Sequence, residues 1–105
     1  MAFTVINAVR RPKEEIAGIV MDVQRLGLDE LRDRPGFRSA RLLVSEDEQE
    51  AMLIMEWDSR DHFIAYRQSE FGQRMVEGAS QWHPQIGFFQ VLAAYDATRT
   101  VRGRC

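Results

Sequence analysis

Apolar residues gather in three short runs: Phe3-Thr4-Val5-Ile6-Asn7-Ala8-Val9, Ala51-Met52-Leu53-Ile54-Met55-Glu56-Trp57 and Phe88-Phe89-Gln90-Val91-Leu92-Ala93-Ala94-Tyr95. Side chains of a strand alternate between the two sides of its sheet. A sheet with one wet face therefore reads apolar, polar, apolar, polar. These runs are apolar at both parities, so both faces of the sheet they build need cover.

The segments between them supply cover for one face only. After a first strand over Phe3 to Arg10, Pro12 suits a helix start, where a missing N–H costs nothing. Ile16, Ile19, Val20, Val23 and Leu26 then recur at helical spacing, with Glu14 and Glu15 in the first turn. Leu28 and Leu31 extend this stripe past Gly27, and Pro35-Gly36 stops it. A second strand runs from Phe37 to about Ser45 and carries Arg38 and Arg41, the marks of the most exposed strand. A polar turn leads to a third strand over Glu50 to Trp57, which fits an antiparallel hairpin. Asp58-Ser59 offers a cap for a second helix with Phe63 and Tyr66 inward, and Ser69 marks a break. Phe71, Met75, Val76 and Ala79 continue the stripe to His83-Pro84, and Ile86 to Tyr95 reads as a fourth strand.

The order β-α-β-β-α-β is the split βαβ, or ferredoxin-like, arrangement: α+β, with a four-stranded antiparallel sheet and helices on one face. Two such sheets meeting face to face make a dimeric α+β barrel. A homodimer through the open sheet face is the expected assembly, since closed homodimers are the commonest oligomers. Residues 1–95 form the expected single domain and 96–105, with Arg99, Arg102 and Arg104, a mobile tail.

Composition narrows the function. The chain has 105 residues, 45% hydrophobic and 29% charged, with a net charge of -2, which lacks the basic footprint of a nucleic-acid binder. The apolar runs have strand length, far below the ~20 residues of a membrane span. No charged stretch followed by an apolar one precedes the first strand, so a cytoplasmic location is expected. The one cysteine, Cys105, has no internal partner and reads as an inert tail residue. Two histidines without a thiol cluster argue against a transition-metal site. No glycine-rich phosphate loop or nucleophile elbow is visible.

Asn7, Pro35-Gly36-Phe37, Trp57-Asp58-Ser59, Phe63-Ile64-Ala65-Tyr66 and Ser69, in that order, resemble the pattern of the antibiotic biosynthesis monooxygenase family. The resemblance covers about Phe3 to Tyr95 and implies a ferredoxin-like homodimer with a cleft between sheet and helices. It also implies oxygenase chemistry on aromatic substrates without metal or flavin, although the family includes haem-degrading members as well. Where those carry an iron-binding histidine, this chain has Arg74 and Met75, and Tyr66 stands in place of their helix tryptophan.

Two candidates carry chemistry. Asn7 shares a strand face with Phe3, Val5 and Val9, and a buried amide without partners costs on the order of 1–3 kcal/mol. It either bonds a backbone carbonyl at a strand irregularity or donates to a substrate oxygen. Tyr66 either orients a ligand or transfers a proton, or packs in the core with its hydroxyl at the rim. Trp57, Phe63, Phe71, Arg74, Met75 and His83 are the candidate substrate-binding residues, while His62, at the start of the second helix, is expected in solvent. The expected function is a small monooxygenase-like enzyme acting on an aromatic or quinol-type molecule. It needs no cofactor, because an electron-rich phenolate or carbanion itself reduces dioxygen. The alternatives are a non-catalytic dimeric module binding a small apolar ligand, and a haem-handling relative without the histidine.

Overall fold

The computed structural model describes residues 2–98. Four strands and three helices follow the expected order: β1 (Phe3–Arg10), α1 (Lys13–Arg25), β2 (Phe37–Val44), β3 (Glu50–Trp57), α2 (Arg60–Gln68), α3 (Glu70–Ser80) and β4 (Gln85–Gln90). A 3-10 helix, Leu28–Asp33, lies between α1 and β2.

Local chemistry sets these boundaries. The Pro12 carbonyl accepts from Glu15 N (2.9 Å) and Ile16 N (3.2 Å), opening α1 without a side-chain cap. Gly27, at φ 94°, turns the chain out of α1 into the 3-10 helix, whose Leu31 is fully buried. Ser59 Oγ caps α2 by accepting from His62 N at 3.2 Å. Ser69 ends α2 and starts α3: its N–H reaches Tyr66 O (3.0 Å), and its Oγ accepts from Gly72 N (3.1 Å). Two capped helices meeting at one serine explain the break in the apolar stripe.

The sheet is antiparallel throughout, in the order β2-β3-β1-β4. β1 is central, and register places Asn7 between Leu53 of β3 and Ile86 of β4. One face, with Phe3, Val5, Val9, Ala51, Met55 and Trp57, is buried beneath the helices. By alternation the other face presents Thr4, Ile6, Ala8, Leu43, Met52, Ile54 and Phe89. No described helix packs on it, and Leu43 and Phe89 are exposed.

Two expectations need correction. β4 ends at Gln90, not Tyr95, because its partner begins at Phe3, which pairs with Gln90. One further bond, Val91 N to Ala2 O at 3.1 Å, ends the pairing, so Leu92 and Tyr95 are exposed despite their hydrophobicity. His62 is half-buried rather than in solvent. Its ring bonds Ser59 Oγ through Nδ1 (2.8 Å) and fills the space beside Gly36, where a Cβ would overlap the ring. Arg99, Arg102, Arg104 and Cys105 lie outside the described residues.

Candidate functional site

A cavity of about 250 Å³ lies between the sheet and the helices. Val5, Asn7 and Val9 of β1 floor it, with Ala51, Leu53 and Met55 of β3. The other walls include Ile19 and Val23 of α1, Phe63, Tyr66 and Arg67 of α2, and Met75, Val76, Ala79 and Ser80 of α3. Leu26, Leu42, Met52, Trp82, Pro84 and Ile86 complete it among the described residues. Arg11, at the end of β1, donates to the Trp82 carbonyl (2.8 Å) and holds this wall against the strand.

The lining is apolar apart from the polar groups of Asn7, Tyr66, Arg67 and Ser80 and the indole N–H of Trp82. Among the described residues it contains no Asp, Glu, His or Lys. The Asn7 carboxamide makes no hydrogen bond to any described residue, and neither does the Tyr66 hydroxyl. β1 runs unbroken through Asn7, paired on both sides, so its side chain is not absorbed by a strand irregularity. Ser80 Oγ instead donates to Glu77 O (2.8 Å) within its helix.

Tyr66 is buried and stacks on Trp57 at 5.1 Å. Burial pushes its phenol pKa above the usual value of 10, outweighing the opposing fields of Arg67 and Arg34. At neutral pH the group is therefore an un-ionised donor and acceptor, suited to holding an oxygen anion rather than abstracting a proton.

The candidate residues separate by position. Asn7, Phe63, Tyr66 and Met75 line the cavity together. Trp57 lies behind it, fully buried, with Phe37 edge-on at 5.3 Å and its Nε1 without a partner. Phe71 is buried in the same aromatic cluster, 6.1 Å from Tyr66. Arg74 is exposed, 3.5 Å from Glu70 and over the Phe71 ring at 5.9 Å. His83 is exposed in the turn after α3, at φ 50°, between the lining residues Trp82 and Pro84. Sequence reasoning missed Arg67 and Trp82. A signal for Arg67 existed: it follows Phe63 by four residues, one helical turn, and its guanidinium lies 5.7 Å from that ring. Among the described residues no three His, Cys, Asp or Glu side chains form a metal-binding group, and no helix is long and apolar enough to cross a membrane.

Known structures share this fold. Rv0793 from Mycobacterium tuberculosis superposes with a TM-score of 0.77 at 16% identity, over 91% of this chain and all of that one. PA3566 from Pseudomonas aeruginosa gives 0.70 at 16% identity, covering 88% and 95% of the two chains. SnoaB, a cofactor-independent oxygenase from Streptomyces nogalater, gives 0.67 at 15% identity, covering 89% and 95%. Comparison with curated proteins gives no significant match. The family model for antibiotic biosynthesis monooxygenases matches residues 2–78. That span takes in β1 through most of α3, and the chain belongs to the antibiotic biosynthesis monooxygenase family.

Proposed function

We propose that this protein is a small monooxygenase that binds an electron-rich aromatic or quinol-type molecule in the cavity between sheet and helices. One observation carries the reading: the Asn7 carboxamide faces an apolar cavity of about 250 Å³ with no hydrogen-bond partner among the described residues. A dry cavity of roughly 150 Å³ already accepts benzene, so this one has room for two fused rings. The monooxygenase activity of the family and the fold shared with SnoaB support the chemistry.

The proposed chemistry asks little of the protein. A phenolate passes one electron to dioxygen, and the radical pair collapses to a peroxide on ring carbon. Loss of water then leaves a quinone. One oxygen atom enters the product and the other leaves as water, with all electrons drawn from the substrate. The Asn7 NH2 stabilises the phenolate and then the peroxide oxygens, while the neutral Tyr66 hydroxyl supplies a second donor. Preorganised dipoles in a water-poor site are effective in this role. Among the described residues the lining has no conventional base, so the phenolic proton is lost to water and the minor anionic form of the substrate is the one that reacts. The same lack of a base favours the second reading, a binding module without turnover. Both readings place a second copy of the chain on the open sheet face.

The test is oxygen uptake with 1,5-dihydroxynaphthalene. This bicyclic probe plus one O2 gives 5-hydroxy-1,4-naphthoquinone plus one H2O. The expected result is one quinone per O2, one labelled atom from 18O2 in the quinone, and no hydrogen peroxide. Binding of the probe without oxygen uptake would show the binding module instead.

A further inference from the structure

Among the described residues Arg67 is the one charged residue lining the cavity. It is half-buried at the last turn of α2, and its guanidinium lies 5.7 Å from the Phe63 ring. The negative end of α2 and the Phe63 face both favour its charge, but neither engages the fork in a hydrogen bond. Eight ion pairs join described residues elsewhere on the surface, and none includes Arg67. No described side chain or carbonyl accepts a hydrogen bond from it. Arginine presents five donors in a planar fork that matches a carboxylate in bidentate geometry. Here the fork stands at the wall of a site that contains no carboxylate of its own.

We infer that Arg67 is the anion anchor of the cavity, and that the molecule bound there is an aromatic acid whose carboxylate pairs with this guanidinium while its rings lie along Phe63 and Met75. This rests on the reading of the cavity as a small-aromatic site and adds the class of ligand. A cationic ligand would find no countercharge in the lining and would be repelled by Arg67. A neutral hydrocarbon would gain nothing from the charge or the donors of the fork. An aromatic carboxylate satisfies both the charge and the walls. It also divides the labour among the polar groups: Arg67 fixes one edge of the ring system and leaves Asn7 and Tyr66 to meet a phenolic oxygen. Arg67 is thus a specificity-determining residue.

The test uses a matched pair of probes, 5-hydroxy-1-naphthoate and 5-hydroxy-1-naphthamide, titrated calorimetrically into the full chain at neutral pH. The wild type is expected to prefer the carboxylate by at least about tenfold, the factor that one charge-assisted hydrogen bond contributes. Arg67→Gln should bring the two affinities within twofold by weakening the carboxylate alone. Arg67→Lys retains a cation at the end of α2 and should keep part of the preference, which separates anchoring from support of the helix terminus. Thermal melts check that both variants are folded. Equal wild-type affinities, or a full preference surviving in Arg67→Gln, would overturn the anchor while leaving the cavity reading intact. If neither probe binds, both fall.

Discussion

Replacing Asn7 by leucine should stabilise the protein while removing the proposed oxygenase turnover. Asn7 stands on the helix-facing side of a central strand, between Leu53 and Ile86, and its carboxamide has no protein partner among the described residues. An unsatisfied buried polar group costs about 1–3 kcal/mol. Asn7 is only half-buried, so about half that penalty, roughly 0.5–1.5 kcal/mol, should be relieved by an apolar side chain. Leucine is close in size and adds apolar burial at about 0.8 kcal/mol per fully buried methylene, again roughly halved here. The sum is a gain of about 1–2 kcal/mol, and each kcal/mol raises Tm by roughly 4–8 °C in a domain of this size. Thermal unfolding followed by circular dichroism reads the stability, and quinone formation from 1,5-dihydroxynaphthalene reads the activity. Turnover should fall at least about 100-fold, the usual loss when one preorganised donor to an oxyanion is removed. A lowered Tm would refute the reasoning, since it would mean that the carboxamide makes bonds that hold the fold together.

Three further outcomes follow from the same structure. Gly36 sits at φ 78° with His62 filling the space a Cβ would take, so Gly36→Ala should cost at least about 2 kcal/mol in chemical denaturation; adding His62→Ala should relieve the clash and leave about 1–2 kcal/mol of backbone strain. Burial raises the Tyr66 pKa above 10, against the fields of Arg67 and Arg34. The unfolded chain thus loses that proton first as pH rises, so this contribution to stability is whole below pH 10 and is lost through the folded pKa; Tyr66→Phe should flatten the fall of Tm between about pH 9 and 11. If the open face is a dimer surface, sedimentation should give twice the chain mass of 12.2 kDa, and Ile54→Lys, in the middle of that face, should give single chains, whereas a wild-type monomer would remove the proposed assembly.

The fold was legible because its signals are local. Helix starts at Pro12 and Ser59, the break at Ser69 and the hairpin after Ser45 each depend on a few adjacent residues. The length of β4 was not, because apolar character continues to Tyr95 whereas a ladder stops where its partner stops, at Phe3. The half-burial of His62 depends on Gly36, a neighbour in space and not in sequence. For the site, parity along β1 placed Asn7 with Phe3, Val5 and Val9, and helical spacing placed Tyr66 with Phe63. The cavity itself was expected only from the family resemblance, since no residue pattern shows it: it arises from how α1, α3 and the turn holding Trp82 stand off the sheet. Arg67 is marked in the sequence only by its four-residue spacing from Phe63, and nothing in a linear pattern says that it borders a cavity.

Asn7 is the only asparagine in the chain, so labelling with 15N-asparagine gives one side-chain NH2 signal in a proton–nitrogen spectrum. Titration with 1,5-dihydroxynaphthalene should move that pair of resonances progressively to a saturated position, as the free carboxamide takes up a phenolic oxygen. A signal that stays fixed while the probe is shown to bind elsewhere on the protein would contradict the placing of the site at Asn7.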